Sequence, residues 1–193
     1  MLQMAKFEIE NWVESCEAHA ELRERDLRDV DIVRMQVLHR FNPLGISDLP
    51  DDPTPAEIAE WFHDHPEHKT GRRMPYHVLY RRDGRVQQCV PASYIAPAAG
   101  TLNRNGLQVA IEGDLRYNPP TVKQAASLVK GTALFWRLGM QTVTGHSGHA
   151  GSSEDPSKIC PGEHIVIPGL VYNVKELLAK KARRFAEKVG AVL

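Results

Sequence analysis

"GLQVAIEGDLRYNPPTVKQAASLVKGTALFWRLGMQTVTGH", residues 106–146, decides the fold class. Its first nine residues are an apolar, β-patterned run suited to a buried strand. An Asn-Pro-Pro start at 118–120 opens a segment with apolar residues at 122, 125, 128, 129, 133 and 136, the spacing of a helix with one buried face, and Gly139 ends it. MQTVTGH is then a short strand running straight into a polar loop. Working outward, IVRMQVLH (32–39) reads as a buried strand ending on His39. In TPAEIAEWF, Thr54 as N-cap, Pro55 at the first helical position and Glu57 three residues on form a capping box. PYHVLYRRDGRVQQCVP (75–91) is a hairpin around Asp83-Gly84, with Tyr76 and His77 opening its first strand. Interleaved strands and helices predict an α/β protein with a central mixed β-sheet flanked by helices.

Length and charge narrow the function classes. At 193 residues the chain predicts a single domain, 1–193, with a core over about 30–165. A helix over about 5–28 and an amphipathic helix over about 173–190, capped by Asn173 and Glu176, are additions to it. Lysine plus arginine equal aspartate plus glutamate at 24 each, so no global field points to nucleic acid or a membrane surface. No run reaches the roughly 18–20 apolar residues of a membrane span, and MLQMAKFEIENW lacks a secretory signal's apolar stretch, so the expectation is a protein made in the cytoplasm. Cysteines 16, 89 and 160 are odd in number and widely spaced, against a disulfide framework. Cys16 and Cys89 sit in patterned apolar runs and read as core.

Three strand ends or following loops carry metal-type side chains: His39, His146 and Cys160, the last two within GHSGHAGSSEDPSKICPGEH (145–164). Two imidazoles and a thiolate suit Zn²⁺, and three protein ligands leave a fourth position for water, the arrangement of a catalytic site. The chemistry this suits is hydrolysis. His149 is a spare ligand, His164 a solvent residue, and His77 a structural one. His63, His65 and His68 form an H-x-H-x-x-H that Pro66 interrupts, so they predict a solvated helix end rather than a second metal site.

The order VLH, PYHVLYRRDGRV, NRNGLQVAIEGD and TGHSGH…SKICPG resembles the zinc-dependent N-acetylmuramoyl-L-alanine amidases, the family of T7 lysozyme-type amidases and peptidoglycan recognition proteins, over about residues 30–165. The resemblance implies that fold, zinc ligands at His39, His146 and Cys160, a catalytic tyrosine at Tyr76 and a catalytic lysine at Lys158. Glu112, at the end of a buried strand, ranks below Tyr76 as a general base. Departures are Leu38-His39-Arg40 where the family carries a His-His-Thr-like tripeptide, and Pro97 near a position often held by histidine.

The implied activity is hydrolysis of the amide between N-acetylmuramic acid and L-alanine in peptidoglycan, in a phage or prophage endolysin that reaches the wall through a holin. A cytoplasmic muropeptide-recycling amidase fits the same residues. A non-catalytic peptidoglycan-binding module is a second class, which the presence of Cys160 disfavours. A thiol hydrolase using Cys160 and His146 is a third, without a visible oxyanion-hole pattern.

Overall fold

The computed structural model describes residues 8–17, 34–68, 70, 73–148, 160–162 and 164–189. Along the chain these form β1 (Glu10–Asn11), α1 (Val13–Glu17), β2 (Met35–Phe41), α2 (Pro55–Asp64), β3 (Val78–Tyr80) and β4 (Val86–Gln88), then β5 (Gly106–Glu112), α3 (Val122–Arg137), β6 (Thr142–Gly145) and α4 (Ile167–Val189). The strands make one six-stranded sheet in the order β1-β4-β3-β5-β2-β6. β3 and β4 pair antiparallel and the other neighbours pair parallel, so the sheet is mixed as expected.

Alternation along the central strands divides the core between the two faces. Leu38, Val78, Tyr80, Leu107, Val109 and Ile111 pack on Leu128 and Ala133 of α3 and Leu170 and Val174 of α4. Phe41, Leu79, Ala110 and Cys89 face Ile58, Ala59 and Phe62 of α2 and Cys16 of α1. All seven residues of β5 are buried, which explains why its sequence reads as a nearly continuous apolar run.

Local chemistry sets the element ends. The Thr54 hydroxyl accepts from Glu57 N and the Glu57 carboxylate accepts from Thr54 N at 2.6 Å, the reciprocal capping box that starts α2. The hairpin turns at Gly84, whose φ of 94° only glycine adopts without strain. Tyr76 and His77 fall just before β3 instead of opening it. α3 starts at Val122 behind a Thr121 cap, because the Thr121 hydroxyl accepts from Gln124 N at 3.1 Å and takes the role expected of Asn118.

Two expected helices differ. At the N-terminus, Glu10 and Asn11 are strand, paired with Gln87 and Gln88, and the Asn11 side chain accepts from Val13 N to begin α1; residues 18–28 of the expected helix lie outside the described residues. α4 begins at Ile167, six residues before Asn173, since Pro168 in the first turn has no N–H to satisfy and tolerates that position.

One close approach can be checked directly. A methyl added at Gly131 of α3 would stand 1.8 Å from the buried Tyr80 hydroxyl oxygen. Gly131→Ala should therefore lower stability by about 1–3 kcal/mol through overpacking, against the gain of up to about 1 kcal/mol that helix propensity alone predicts. Denaturant unfolding measures it, and adding Tyr80→Phe should restore part of the loss.

Candidate metal centre

β2 lies between β5 and β6, and its register brings the candidate donors together. Leu38 pairs with Gly145, so the next residues of the two parallel strands, His39 and His146, emerge side by side with ring centroids 4.8 Å apart. Gly145 lets the chain carrying the third donor approach. A Cβ there would lie 2.9 Å from the Cys160 carbonyl oxygen and 2.9 Å from Pro161 Cδ. Ser147 then holds Cys160 by its backbone: its hydroxyl accepts from Cys160 N at 2.9 Å and donates to Cys160 O at 2.9 Å, and Ser147 N donates to the same carbonyl at 3.1 Å. Gly162 completes the approach at φ 125°, where a Cβ would strike the Leu115 carbonyl oxygen at 2.3 Å. The donor atoms of His39, His146 and Cys160 all lie within 4.8 Å of one another. They are the one group of three such donors among the described residues.

Electrostatics favours the metal-binding form of His39 and opposes that of Cys160. Burial pushes His39 down to about 3, with the neighbouring His146 lowering it further against a raising hydrogen bond to Gln108, so the imidazole is neutral at neutral pH. Burial pushes the Cys160 thiol up, opposed by Arg40, whose backbone N–H donates to Cys160 Sγ at 3.4 Å. A metal cation would supply the positive charge that burial withholds from the thiolate.

The donors open onto a cleft of about 290 Å³ lined also by Arg40, Phe62, His68, Thr70, Pro75, Tyr76, Pro97 and Ala98. Both sequence departures, Arg40 and Pro97, therefore sit in it. Tyr76 packs 5.7 Å from His39, 6.0 Å from Phe41 and 6.2 Å from Phe62, measured between ring centroids. Burial, reinforced by Cys160, raises its hydroxyl well above the usual tyrosine range, so Tyr76 remains a hydrogen-bond donor. A larger apolar hollow, about 350 Å³, lies on the α3 side of the sheet among residues such as Val78, Leu107 and Leu134 and holds none of the three donors.

Glu112 is not among the residues lining the cleft. Its carboxylate accepts from Arg82 N at 2.8 Å and sits 3.2 Å from Arg81 Nε. Arg81 is 1% exposed, donates to Pro53 O at 2.8 Å and also pairs with Asp52, so Glu112 helps neutralise a buried guanidinium. Lys158 and His149 lie outside the described residues. His77 is fully buried, its Nε2 bonded to Tyr94 O, in keeping with a structural role. His164 is exposed. His65 and His68 are more than a solvated end: they flank the Trp61 ring, with centroids 4.3 and 4.6 Å away, and His65 Nδ1 donates to Trp61 O. Cys16 and Cys89 are buried core. Sequence reading missed Ser147 and Gln108, although each carried a signal: a hydroxyl beside a candidate ligand, and a polar residue inside a buried strand.

With fold and site in place, comparison with known proteins gives the family. Residues 31–163 match the family model described as N-acetylmuramoyl-L-alanine amidase, and the chain belongs to that family. No curated protein sequence matches it. Among solved structures it is similar to the Ph2119 endolysin from the Thermus scotoductus MAT2119 bacteriophage Ph2119, at 18% identity and TM-score 0.63, covering 86% of this chain and 99% of that one. It is similar to the N-acetylmuramoyl-L-alanine amidase LysC from Clostridium intestinale URNW at 16% identity and TM-score 0.61, covering 87% and 97%. The third is a selenomethionine derivative of AmpD, at 22% identity and TM-score 0.60, covering 86% and 94%. These neighbours establish the T7 lysozyme and peptidoglycan recognition protein-like fold, and the family supports an amidase activity toward peptidoglycan.

The geometry separates two kinds of variant. Ser147→Ala should keep the fold and weaken metal binding roughly 10- to 100-fold, the usual effect of losing a group that orients a ligand. Glu112→Gln should lower thermal stability while leaving metal content unchanged. Metal analysis and thermal unfolding of both proteins check the pair.

Proposed function

We propose that this chain is a zinc-dependent N-acetylmuramoyl-L-alanine amidase that cleaves the amide between N-acetylmuramic acid and L-alanine in peptidoglycan, working as a phage or prophage endolysin. The observation that carries the reading is the convergence of His39, His146 and Cys160 on a cleft, in a chain of the amidase family. Two neutral imidazoles and one thiolate are a donor set that zinc accepts, and three protein ligands leave a position for water or substrate. Bound there, zinc would supply Lewis-acid chemistry, polarising a carbonyl and lowering the pKa of a water to roughly 7.

The chain's own residues supply the rest. Tyr76, held protonated beside His39, donates a hydrogen bond to the carbonyl oxygen as negative charge develops on it. Lys158, two residues before Cys160 in sequence, adds positive charge and a proton for the departing amine. Phe62, Pro97 and Ala98 give the cleft apolar walls that limit water around the scissile bond. Glu112, engaged with Arg81 and Arg82, is assigned to holding the sheet end and to no chemical step. On this reading the enzyme is made in the cytoplasm and reaches the wall through a holin.

The test is zinc content together with amine release from peptidoglycan, before and after chelation. About one zinc per chain, loss of activity on chelation and recovery on zinc addition are expected; activity that survives complete zinc removal contradicts the mechanism. Cys160→Ser should lose most of its zinc, whereas Lys158→Ala should keep zinc and lose turnover. Substrate size tests the setting: an endolysin clears intact sacculi, and action restricted to soluble anhydro-muropeptides would make it a recycling amidase instead.

A further inference from the structure

Gln108 stands out as a polar side chain, fully buried, in the middle of β5. Both ends of its amide are engaged. Its amide nitrogen donates to two backbone carbonyls, Leu102 O and Gly106 O, each at 3.2 Å. Its amide oxygen lies 2.9 Å from His39 Nε2. The two carbonyls settle which way the amide points, because the reversed amide would aim its oxygen at two acceptors. An oxygen facing His39 Nε2 can only accept, so Nε2 must carry the proton.

The surroundings fix Gln108 in turn. Its backbone N donates to His77 Nδ1 at 2.8 Å, and its carbonyl accepts from His77 N at 2.8 Å. His77 Nε2 is bonded to Tyr94 O, the arrangement of the tautomer that leaves His77 Nδ1 free to accept. Gly106 leaves the volume the amide needs, since a Cβ there would lie 2.9 Å from Gln108 Nε2. Room, orientation and backbone position are thus all set around one acceptor atom.

We infer that Gln108 is a positioning residue that holds His39 as the Nε2–H tautomer, so that Nδ1 is the nitrogen presented to the metal. A histidine whose outer N–H is already engaged does not have to choose a tautomer or ring orientation when metal arrives, and such partners commonly raise affinity 10- to 100-fold. The inference rests on the zinc reading of the site, but its main observable does not require metal.

Metal-free full-length protein labelled with ¹⁵N-histidine, observed by long-range ¹H–¹⁵N correlation, should show His39 protonated at Nε2 and unprotonated at Nδ1. Added zinc should shift the Nδ1 resonance and leave the Nε2 proton in place. Gln108→Met, close in shape and without the acceptor, should lose the single tautomer and bind zinc roughly 10- to 100-fold more weakly in competition with a chromophoric chelator. His39 protonated at Nδ1 in the metal-free protein, or coordinated through Nε2, overturns the inference. So does a folded Gln108→Met protein with unchanged tautomer and zinc affinity; if that variant fails to fold, the wild-type spectra decide. A protein with the expected tautomer that binds zinc yet releases no amine overturns the proposed function and leaves the role of Gln108 standing.

Discussion

The pairing of β2 with strands on both sides is the constraint on which the site depends. Leu38 opposite Gly145 and His39 opposite Ala110 are settled by a ladder buried on both faces, and a one-residue slip would move every core side chain to the wrong side. Fixing that register for the core also fixes where His146 follows β6 and where Gln108 lies along β5. The metal donors inherit their geometry from hydrophobic packing. Only Cys160 needs a separate device, and the bonds from Ser147 with the room left by Gly145 and Gly162 provide it.

Burial also shapes the chemistry at this edge of the sheet. It keeps His39 neutral and Tyr76 protonated and resists ionisation of Cys160, so these three side chains carry no formal charge in the metal-free protein. A divalent cation reverses the last of them, so metal binding and thiol deprotonation are one event here. Arg81 shows the opposite solution a short distance along the same sheet: a permanent charge kept buried by Asp52, Glu112 and a backbone carbonyl. The carboxylate that sequence position offered as a base is occupied in that network.

Local signals made much of this legible from residue order. The Thr54–Glu57 box, the Asp83-Gly84 turn and the apolar runs of β2 and β5 each depend on neighbours a few residues away; the box and the turn stand where the pattern placed them, while β2 continues past His39 to Phe41 and β5 stops at Glu112. Element starts were harder. Thr121 displaced Asn118 as the cap of α3, and α4 began before Asn173, because Asn, Thr and Pro all suit a helix start and tertiary packing chooses among them. His39, His146 and Cys160 were recognisable as side-chain types, but their convergence depends on a register that no short window contains. Gln108 and His39 are 69 residues apart, so the polar residue in an apolar strand was visible while its partner was not.

The central claim is that one strand register assembles a centre of two imidazoles and one thiolate. X-ray absorption at the zinc edge of the zinc-loaded protein tests it most directly. The account predicts about one zinc per chain with a single sulfur scatterer near about 2.3 Å and nitrogen or oxygen scatterers near about 2.0–2.1 Å. A shell of nitrogen and oxygen alone, or a protein that retains no stoichiometric zinc, would contradict it.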